Sequence, residues 1–253
     1  MDREPIVEME DEGDLLSQLT SGEAFCPICG APLKPASGEW ECYYCGKREP
    51  ADFVCINGHY VCEECRLASG EEIVLKVASR SSEADPSLIA DRIFTHPAVD
   101  LFGPIHHLVV AASLLAAAKN AGAELSLSHI KRAIARLKPI PYAACGLLGA
   151  CGAAIGAGVA VSVITGATHA SDRERSLAME ATASALKRIA ELGGPRCCKA
   201  SVYASLEAAV PILREEIGIP VVLKDLEGAC MFSERNGECW GERCPYHTRG
   251  RTA

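Results

Sequence analysis

Apolar positions recur with helical spacing over most of the chain after residue 85. Asp85 followed by Pro86 predicts the cap and the first position of a helix there. The segment after Pro104 is apolar nearly all round, so we expect it to be buried. The pattern predicts further helices over His106 to Asn120, Ser126 or Ser128 to Leu137, Gly152 to Ile164, Asp172 to Glu191, and Lys199 to Ile217 with a kink at Pro211.

This pattern predicts a mostly α-helical domain over residues 85–225, flanked by segments of different composition. The acidic residues 1–22 predict a disordered tail. Residues 219–223 are typical of a short strand. The other predicted segments are a metal module over 23–66, a linker over 67–84 with a strand-like run from Ile73 to Val77, and a cysteine-rich tail over 226–253.

The segment from Lys138 to Asp172 carries no formally charged side chain between its ends, which is long enough to span a membrane. It consists mostly of alanine and glycine, and its flanks lack an aromatic belt and a cluster of positive charges. We therefore expect a tightly packed central helix, in which Gly152 and Gly156 allow close packing, and no membrane attachment.

Charge and cysteine content narrow the functional classes. The formal net charge is −8, which disfavours a general nucleic-acid binder, although a local basic patch leaves nucleic acid open. Residues 1–25 lack the apolar core of an export signal, so we expect a cytoplasmic protein. In a reducing compartment the 14 cysteines are expected to be thiols or metal ligands.

Eight of the potential ligands lie within 40 residues and have the spacing of metal sites. Two Cys-x-x-Cys-Gly knuckles are followed by a Cys-x₃-His-x₂-Cys-x₂-Cys run, which together saturate two structural Zn²⁺ ions. A zinc-ribbon or treble-clef-like module with sequential pairing fits best, and a cross-braced pairing is the alternative. The predicted ligands are Cys26, Cys29, Cys42, Cys45, Cys55, His59, Cys62 and Cys65.

A second group of cysteines lies beside glycines, prolines and basic residues. We expect helix termini and Arg196 to lower the pKa of these thiols, and we expect the thiols to converge on one site. Adjacent histidines point about 100° apart, so one of the His106–His107 pair should face this site and the other should pack. The candidate catalytic residues are Cys145, Cys151, Cys197, Cys198, His106 and His107.

The tail cysteines Cys230, Cys239 and Cys244 have the spacing of cluster ligands, and Cys244 precedes a proline. Cys198 or its neighbour Cys197 can supply a fourth thiolate. A [4Fe–4S] cluster, a further zinc ion and free redox-active thiols all remain open for this set.

Three linked motifs resemble the uncharacterised family called domain of unknown function 5714. They are Gly-Pro-x-His-His at 103–107, Cys-Gly-x-x-Gly-Ala-Cys-Gly-Ala-Ala-Ile-Gly-x-Gly at 145–158, and Gly-Gly-Pro-Arg-Cys-Cys-Lys at 193–199, and the resemblance covers about residues 85–247. It implies anaerobic cofactor or RNA modification and a radical S-adenosylmethionine enzyme or methyltransferase as partner. The family often has an acidic residue before the histidine pair, where this chain has Ile105.

Two functional hypotheses follow. The first is an iron–sulfur or thiol-dependent accessory enzyme for sulfur or methyl transfer, with the histidines moving protons and Arg196 or Lys199 binding an anionic group. The second is a non-enzymatic zinc or iron–sulfur adaptor that docks a partner enzyme or RNA.

Overall fold

A computed structural model describes residues 24–248 of the 253-residue chain. The predicted acidic tail over 1–22 lies outside the described residues, as do the last five residues. The described chain forms two compact units, one ending at Cys62 and one starting at Glu63. The predicted fold class is confirmed, because a small cysteine-rich region is followed by a mostly helical domain.

The first unit contains four short strands in two antiparallel pairs. β1 (Leu33–Pro35) pairs with β4 (Phe53–Cys55), and β2 (Glu39–Glu41) pairs with β3 (Arg48–Pro50). The β2–β3 hairpin is therefore inserted between the strands of the outer pair. The register places Leu33 opposite Cys55.

The second unit is built from helices, and the boundaries predicted from residue 105 onward agree closely with the observed ones. Helix α9 ends at Pro211, and the chain continues as a π-helical turn over Ile212–Glu216, since proline offers no N–H to the regular ladder. The helices are α1 (Glu63–Arg66), α2 (Gly70–Arg80), α3 (Pro86–Phe94), α4 (Ile105–Asn120), α5 (Leu127–Leu137), α6 (Ala144–Leu147), α7 (Gly152–Thr165), α8 (Arg173–Leu192) and α9 (Cys198–Pro211).

Helix α7 packs against α4, α5, α8 and α9, at the centre of the helical domain. Its glycines make this packing close: a Cβ at Gly156 would lie 2.7 Å from the backbone oxygen of His107, and one at Gly158 would overlap Thr182. The expected packed central helix is thus observed. Among the described helices, none combines the length and the apolarity needed to cross a membrane.

Two predicted strands are wrong. Residues 73–77 belong to helix α2, where the Ser69 and Glu72 side chains form a capping box and Ile73, Val74 and Val77 share a buried face. Residues 67–84 are therefore mainly helical rather than an irregular linker. Residues 219–223 form no strand within the described part of the chain, and Val222 instead donates a single backbone hydrogen bond to Ala84.

Candidate metal centres and functional cavity

The first candidate metal centre combines the first knuckle with Cys55 and His59. Their four ligand atoms all lie within 4.8 Å of one another. The Cys29 and Cys55 sulfurs are 3.5 Å apart, and the Cys26 sulfur is 3.7 Å from Nδ1 of His59. A tetrahedral zinc ion with Zn–S bonds of about 2.3 Å separates its sulfurs by about 3.8 Å, so the donor set fits such an ion.

The second candidate centre contains Cys42, Cys45, Cys62 and Cys65, whose ligand atoms also lie within 4.8 Å of one another. The Cys45 and Cys62 sulfurs are 3.7 Å apart. Four thiolates complete a tetrahedron and leave no coordination position for a substrate. Both centres are therefore suited to holding the fold together and not to catalysis at the ion.

The two centres are cross-braced, so the predicted sequential pairing is wrong. The reason lies in the strand register, because pairing of β1 with β4 brings the knuckle that precedes β1 beside Cys55. The second knuckle lies at the turn of the inner β2–β3 hairpin. There Tyr43 donates a backbone hydrogen bond to the oxygen of Tyr60, which brings the knuckle beside Cys62.

Backbone N–H groups prepare these sulfurs for a cation. Gly30 and Gly46 take positive φ angles, and each closes its knuckle by donating its N–H to the backbone oxygen of the first cysteine. Burial opposes ionisation of Cys42, but hydrogen bonds from the Cys62, Cys45 and Tyr44 backbones outweigh it and lower its pKa. Nδ2 of Asn57 adds a hydrogen bond of 3.6 Å to the sulfur of Cys29.

A cavity of about 530 Å³ in the helical domain brings together the predicted catalytic residues. Cys145 comes from α6, Cys151 caps α7, and Cys198 begins α9, so three separate segments contribute thiols. Most of the remaining surface is apolar. The polar and aromatic residues that line it are His106, His107, Tyr142, Cys145, Cys151, Arg196, Cys197, Cys198, Ser201 and Trp240.

The predicted lowering of thiol pKa values is wrong for the cysteine pair at the start of α9. Burial raises the pKa of Cys197 and of Cys198, and it outweighs the backbone N–H groups that donate to each sulfur. Gly103 supplies that hydrogen bond to Cys198. These thiols are therefore protonated at neutral pH unless a metal ion displaces the proton or a base accepts it.

Both histidines of the pair line the cavity and both are buried. Nδ1 of His106 lies 3.1 Å from the oxygen of Gly103; since a carbonyl only accepts, Nδ1 carries the proton and Nε2 keeps a lone pair. The His106 ring also packs 5.3 Å from the ring of Phe94. Burial, with the charge of Lys199, lowers the pKa of His106 to about 3, and burial lowers that of His107.

Arg196 is already engaged by protein groups. Its guanidinium forms a 2.9 Å ion pair with Glu238, donates to the Tyr142 hydroxyl, and lies 4.6 Å from the centre of the Phe102 ring. It therefore positions the cavity wall and is poorly placed to bind an anionic substrate. Lys199 is only 4% exposed, and its Nζ lies 4.9 Å from the ring centre of Phe232 and 5.0 Å from that of Phe94.

The tail cysteines gather with Cys197, one of the two residues predicted as the fourth member of that set, and not with Cys198. A second, small cavity is lined by Cys197, Cys230, Cys239 and Cys244, while Cys198 faces the larger one. The isolated bridge between Cys230 and His247 closes the tail on itself. Trp240 lines both cavities.

Sequence reasoning missed Trp240, Tyr142 and His247 as cavity residues. Trp240 and His247 each retain a buried ring nitrogen without a hydrogen-bond partner among the described residues. The clue in the sequence was the proximity of Trp240 to Cys239 and of His247 to Cys244. Nothing in the sequence marked Tyr142.

One family comparison is informative. The model of a family described as "Family of unknown function (DUF5714)" matches residues 74–247. No curated protein and no solved structure matches the chain.

Proposed function

The chain belongs to the family of unknown function DUF5714, and we propose that its helical domain is a thiol-dependent enzyme that transfers sulfur within the 530 Å³ cavity. The observation that carries this proposal is the convergence of Cys145, Cys151 and Cys198 from three helices on one largely apolar space. One thiol alone is usually a packing residue, but three facing the same space provide a donor and successive acceptors.

The chemistry requires no outside oxidant. A persulfide donor, R–S–SH, gives its outer sulfur to a cavity thiolate: a new S–S bond forms at the protein sulfur as the donor S–S bond breaks. The electron pair leaves with the donor as R–S⁻. Cys145 is exposed and receives the sulfur first, and the same exchange then passes it to Cys151 or Cys198.

The histidines suit the orientation of the attacking thiol and not its deprotonation. Nε2 of His106 is buried without a partner among the described residues, so it can accept a hydrogen bond from a thiol. Burial lowers the pKa of both imidazoles, which makes them weak bases, so the thiol proton ends on the departing R–S⁻. Sulfur is favoured over methyl as the transferred group because a methylated cysteine is a stable thioether. A thioether cannot hand its methyl group to the next thiol, whereas a persulfide can hand on its sulfur.

In this proposal the two ions of the metal module are structural zinc. The sulfur–sulfur distances of 3.5 and 3.7 Å and the closed donor sets support zinc. A partner enzyme, of the radical S-adenosylmethionine or methyltransferase class, consumes the sulfur. The exposed apolar side chains of Leu147, Leu148 and Tyr142 at and beside the cavity mouth support docking there.

The test of sulfur transfer uses full-length protein loaded anaerobically with a low-mass persulfide, followed by peptide mapping. We expect one extra sulfur atom on Cys145, Cys151 or Cys198, and loss of most of it in the triple alanine variant. Ser205→Ala, on the same helix as Cys198 but outside the cavity, should load normally. Sulfur found only on the metal-module cysteines, or a methyl thioether on the cavity thiols, would contradict the proposal.

The adaptor alternative predicts a different pattern, in which docking matters and the cavity thiols do not. Leu147→Glu should leave loading by the small persulfide intact and abolish cross-linking to the partner enzyme. Met179→Glu, which changes another exposed apolar residue, on α8, is the matched control. Partner activity that survives loss of all three cavity thiols would favour the adaptor.

A further inference from the structure

Cys197 and Cys198 are neighbours in the chain but belong to different thiol groups. Cys197 precedes α9 in an extended conformation, with φ −144° and ψ 102°, whereas Cys198 is the first helical residue. Cys198 lines the larger cavity and not the small one. Cys197 lines both cavities and shares the small one with the tail cysteines.

The tail thiols and Cys197 form one compact group. All four residues line the same small cavity. The backbone N–H of Cys230 donates to the oxygen of Tyr246 at 2.8 Å, and that of His247 donates to the oxygen of Cys244 at 3.1 Å, which holds Cys230 and Cys244 side by side.

The spacing of this group differs from that of the two zinc-like centres. Four sulfurs bound to one zinc ion at about 2.3 Å leave no room for a water molecule between them. Here the thiols surround a cavity of about 20 Å³. Within residues 24–248, only the two centres of the metal module have three or more ligand atoms all within 4.8 Å of one another. The cavity has room for about one water molecule, and its thiols are spaced too widely to bind one ion together, so an occupant with several metal atoms requires the thiols to turn outward.

The surroundings of this small cavity favour an anionic, sulfur-rich occupant. Lys199 is buried beside it, and its Nζ donates to the backbone oxygen of Asp100 at 3.4 Å. Nε1 of Trp240 and Nδ1 of His247 are buried without partners among the described residues. A buried cation and unpaired ring nitrogens stabilise a cluster that carries net negative charge and bears acceptor sulfides.

We propose that Cys197, Cys230, Cys239 and Cys244 bind a [4Fe–4S] cluster, separated from the larger cavity by Cys197 and Trp240. The backbone directs Cys198 away from this set, so it is no ligand. The site goes beyond the proposed sulfur transfer and stands or fails independently of it.

The test compares Cys197→Ser with Cys198→Ser in full-length protein purified or reconstituted without oxygen. Wild type should contain about four iron and four sulfide per chain, with absorbance near 400 nm that dithionite bleaches. Cys197→Ser and Cys239→Ser should lose most of the iron and absorbance. Cys198→Ser should keep both the iron and the absorbance, and it should still load sulfur on Cys145 or Cys151 if the proposed transfer is correct. Circular dichroism checks that each variant retains its helices.

Three outcomes would overturn the cluster. These are a third zinc ion with no iron in wild type, equal iron loss in Cys197→Ser and Cys198→Ser, or full iron in Cys197→Ser. If Cys197→Ser unfolds, two measurements still test the cluster. They are the iron and sulfide content of wild type and the retention of both in Cys198→Ser. Failure of sulfur loading in wild type with a full cluster would refute only the proposed transfer.

Discussion

Gly152 allows helix α7 to approach the ring of His107 directly. A Cβ at this position would lie 2.4 Å from Cγ and Nδ1 of that ring, well inside van der Waals contact. A Cβ at Gly156, one turn later, would lie 2.7 Å from the backbone oxygen of His107. Two glycines of one helix therefore hold His107, both its ring and its backbone, at the cavity wall.

Gly152→Ala should destabilise the protein by about 1–3 kcal/mol, because the methyl group must displace either the imidazole or the helix. Denaturant unfolding measures this change. Gly146→Ala is the matched control, since a Cβ there meets nothing within 4 Å and its φ is not left-handed. Equal stability of the two variants would show that α7 is not packed against His107 as described.

The metal ligands allow a prediction at the same scale. Cys29→Ser and Cys62→Ser should each reduce the zinc content by about one ion per chain, since each removes one corner of a different tetrahedron. Elemental analysis of protein prepared in excess zinc measures the loss. Asn57→Ala, which removes only a hydrogen bond to the Cys29 sulfur, should retain both ions. Two ions in either cysteine variant would contradict the ligand assignment.

At the scale of elements, the start of α3 ties the helical domain to its C-terminal segment. Oδ1 of Asp85 accepts hydrogen bonds from the Ser87 N–H and hydroxyl at 2.8 and 2.7 Å, and Oδ2 accepts from the Lys224 N–H at 3.0 Å. A further turn along α3, Asp91 accepts from Tyr203 and Lys224 at 2.6 and 3.0 Å. Two carboxylates of this helix start therefore bind Lys224, and they hold the segment over residues 219–224 without a neighbouring strand.

Asp85→Ala should cost about 2 kcal/mol, because it removes a helix cap and leaves the Lys224 N–H without its acceptor. Asp85→Asn keeps one acceptor oxygen and should lose less, and Ser87→Ala should lose least. Thermal or denaturant unfolding ranks the three. Any other order would mean that the cap is not what holds this segment.

Periodicity predicted the long helices because their packing faces are long enough to show a repeat. It failed for Ile73 to Val77, where a short apolar run fits a strand or a helix equally. The signal that decides this case is local: Ser69 and Glu72 form a capping box, and that motif was present in the sequence. The strand predicted at 219–223 failed because β-branched residues form a strand only with a neighbouring strand.

At the scale of the whole molecule, the sequence identified the ligands better than their grouping. Spacing along the chain is the same for sequential and cross-braced pairing, and only the β1–β4 register distinguishes them. Spacing along the chain also cannot assign Cys197 and Cys198 to different cavities. That assignment depends on the change from extended to helical backbone between these two residues. The convergence of the thiols on one cavity was predictable because their segments all end at helix termini.

Acid should destabilise the fold through its buried histidines. The pKa of His106 is lowered to about 3 by burial, so the unfolded chain binds this proton below about pH 6.5 and the native chain does not. Stability is therefore retained above pH 6.5 and lost as the pH falls towards 3. We expect about 2 kcal/mol less stability at pH 5 than at pH 7 from His106 alone.

His106→Asn keeps a donor towards Gly103 and removes the titration, so its loss of stability between pH 7 and pH 5 should be smaller by that amount. Comparing the two proteins at each pH cancels contributions shared by both, including acid release of metal and the lowered pKa values of His107 and His96. Parallel pH profiles would show that His106 is not buried as a neutral ring.

The cross-braced module has a consequence for how the chain acquires its metal as it is synthesised. A ribosome completes both knuckles by Cys45, but neither correct site has a full set of ligands until His59 or Cys65 has been made. In that interval one ion can bind the four cysteines of both knuckles, which is the sequential pairing. In the folded module the two knuckles belong to different centres. The early ligand set is thus a kinetic trap. Escape from it requires thiolates to exchange on the metal, so zinc added late to an unfolded chain should yield the native module faster than zinc present from the start.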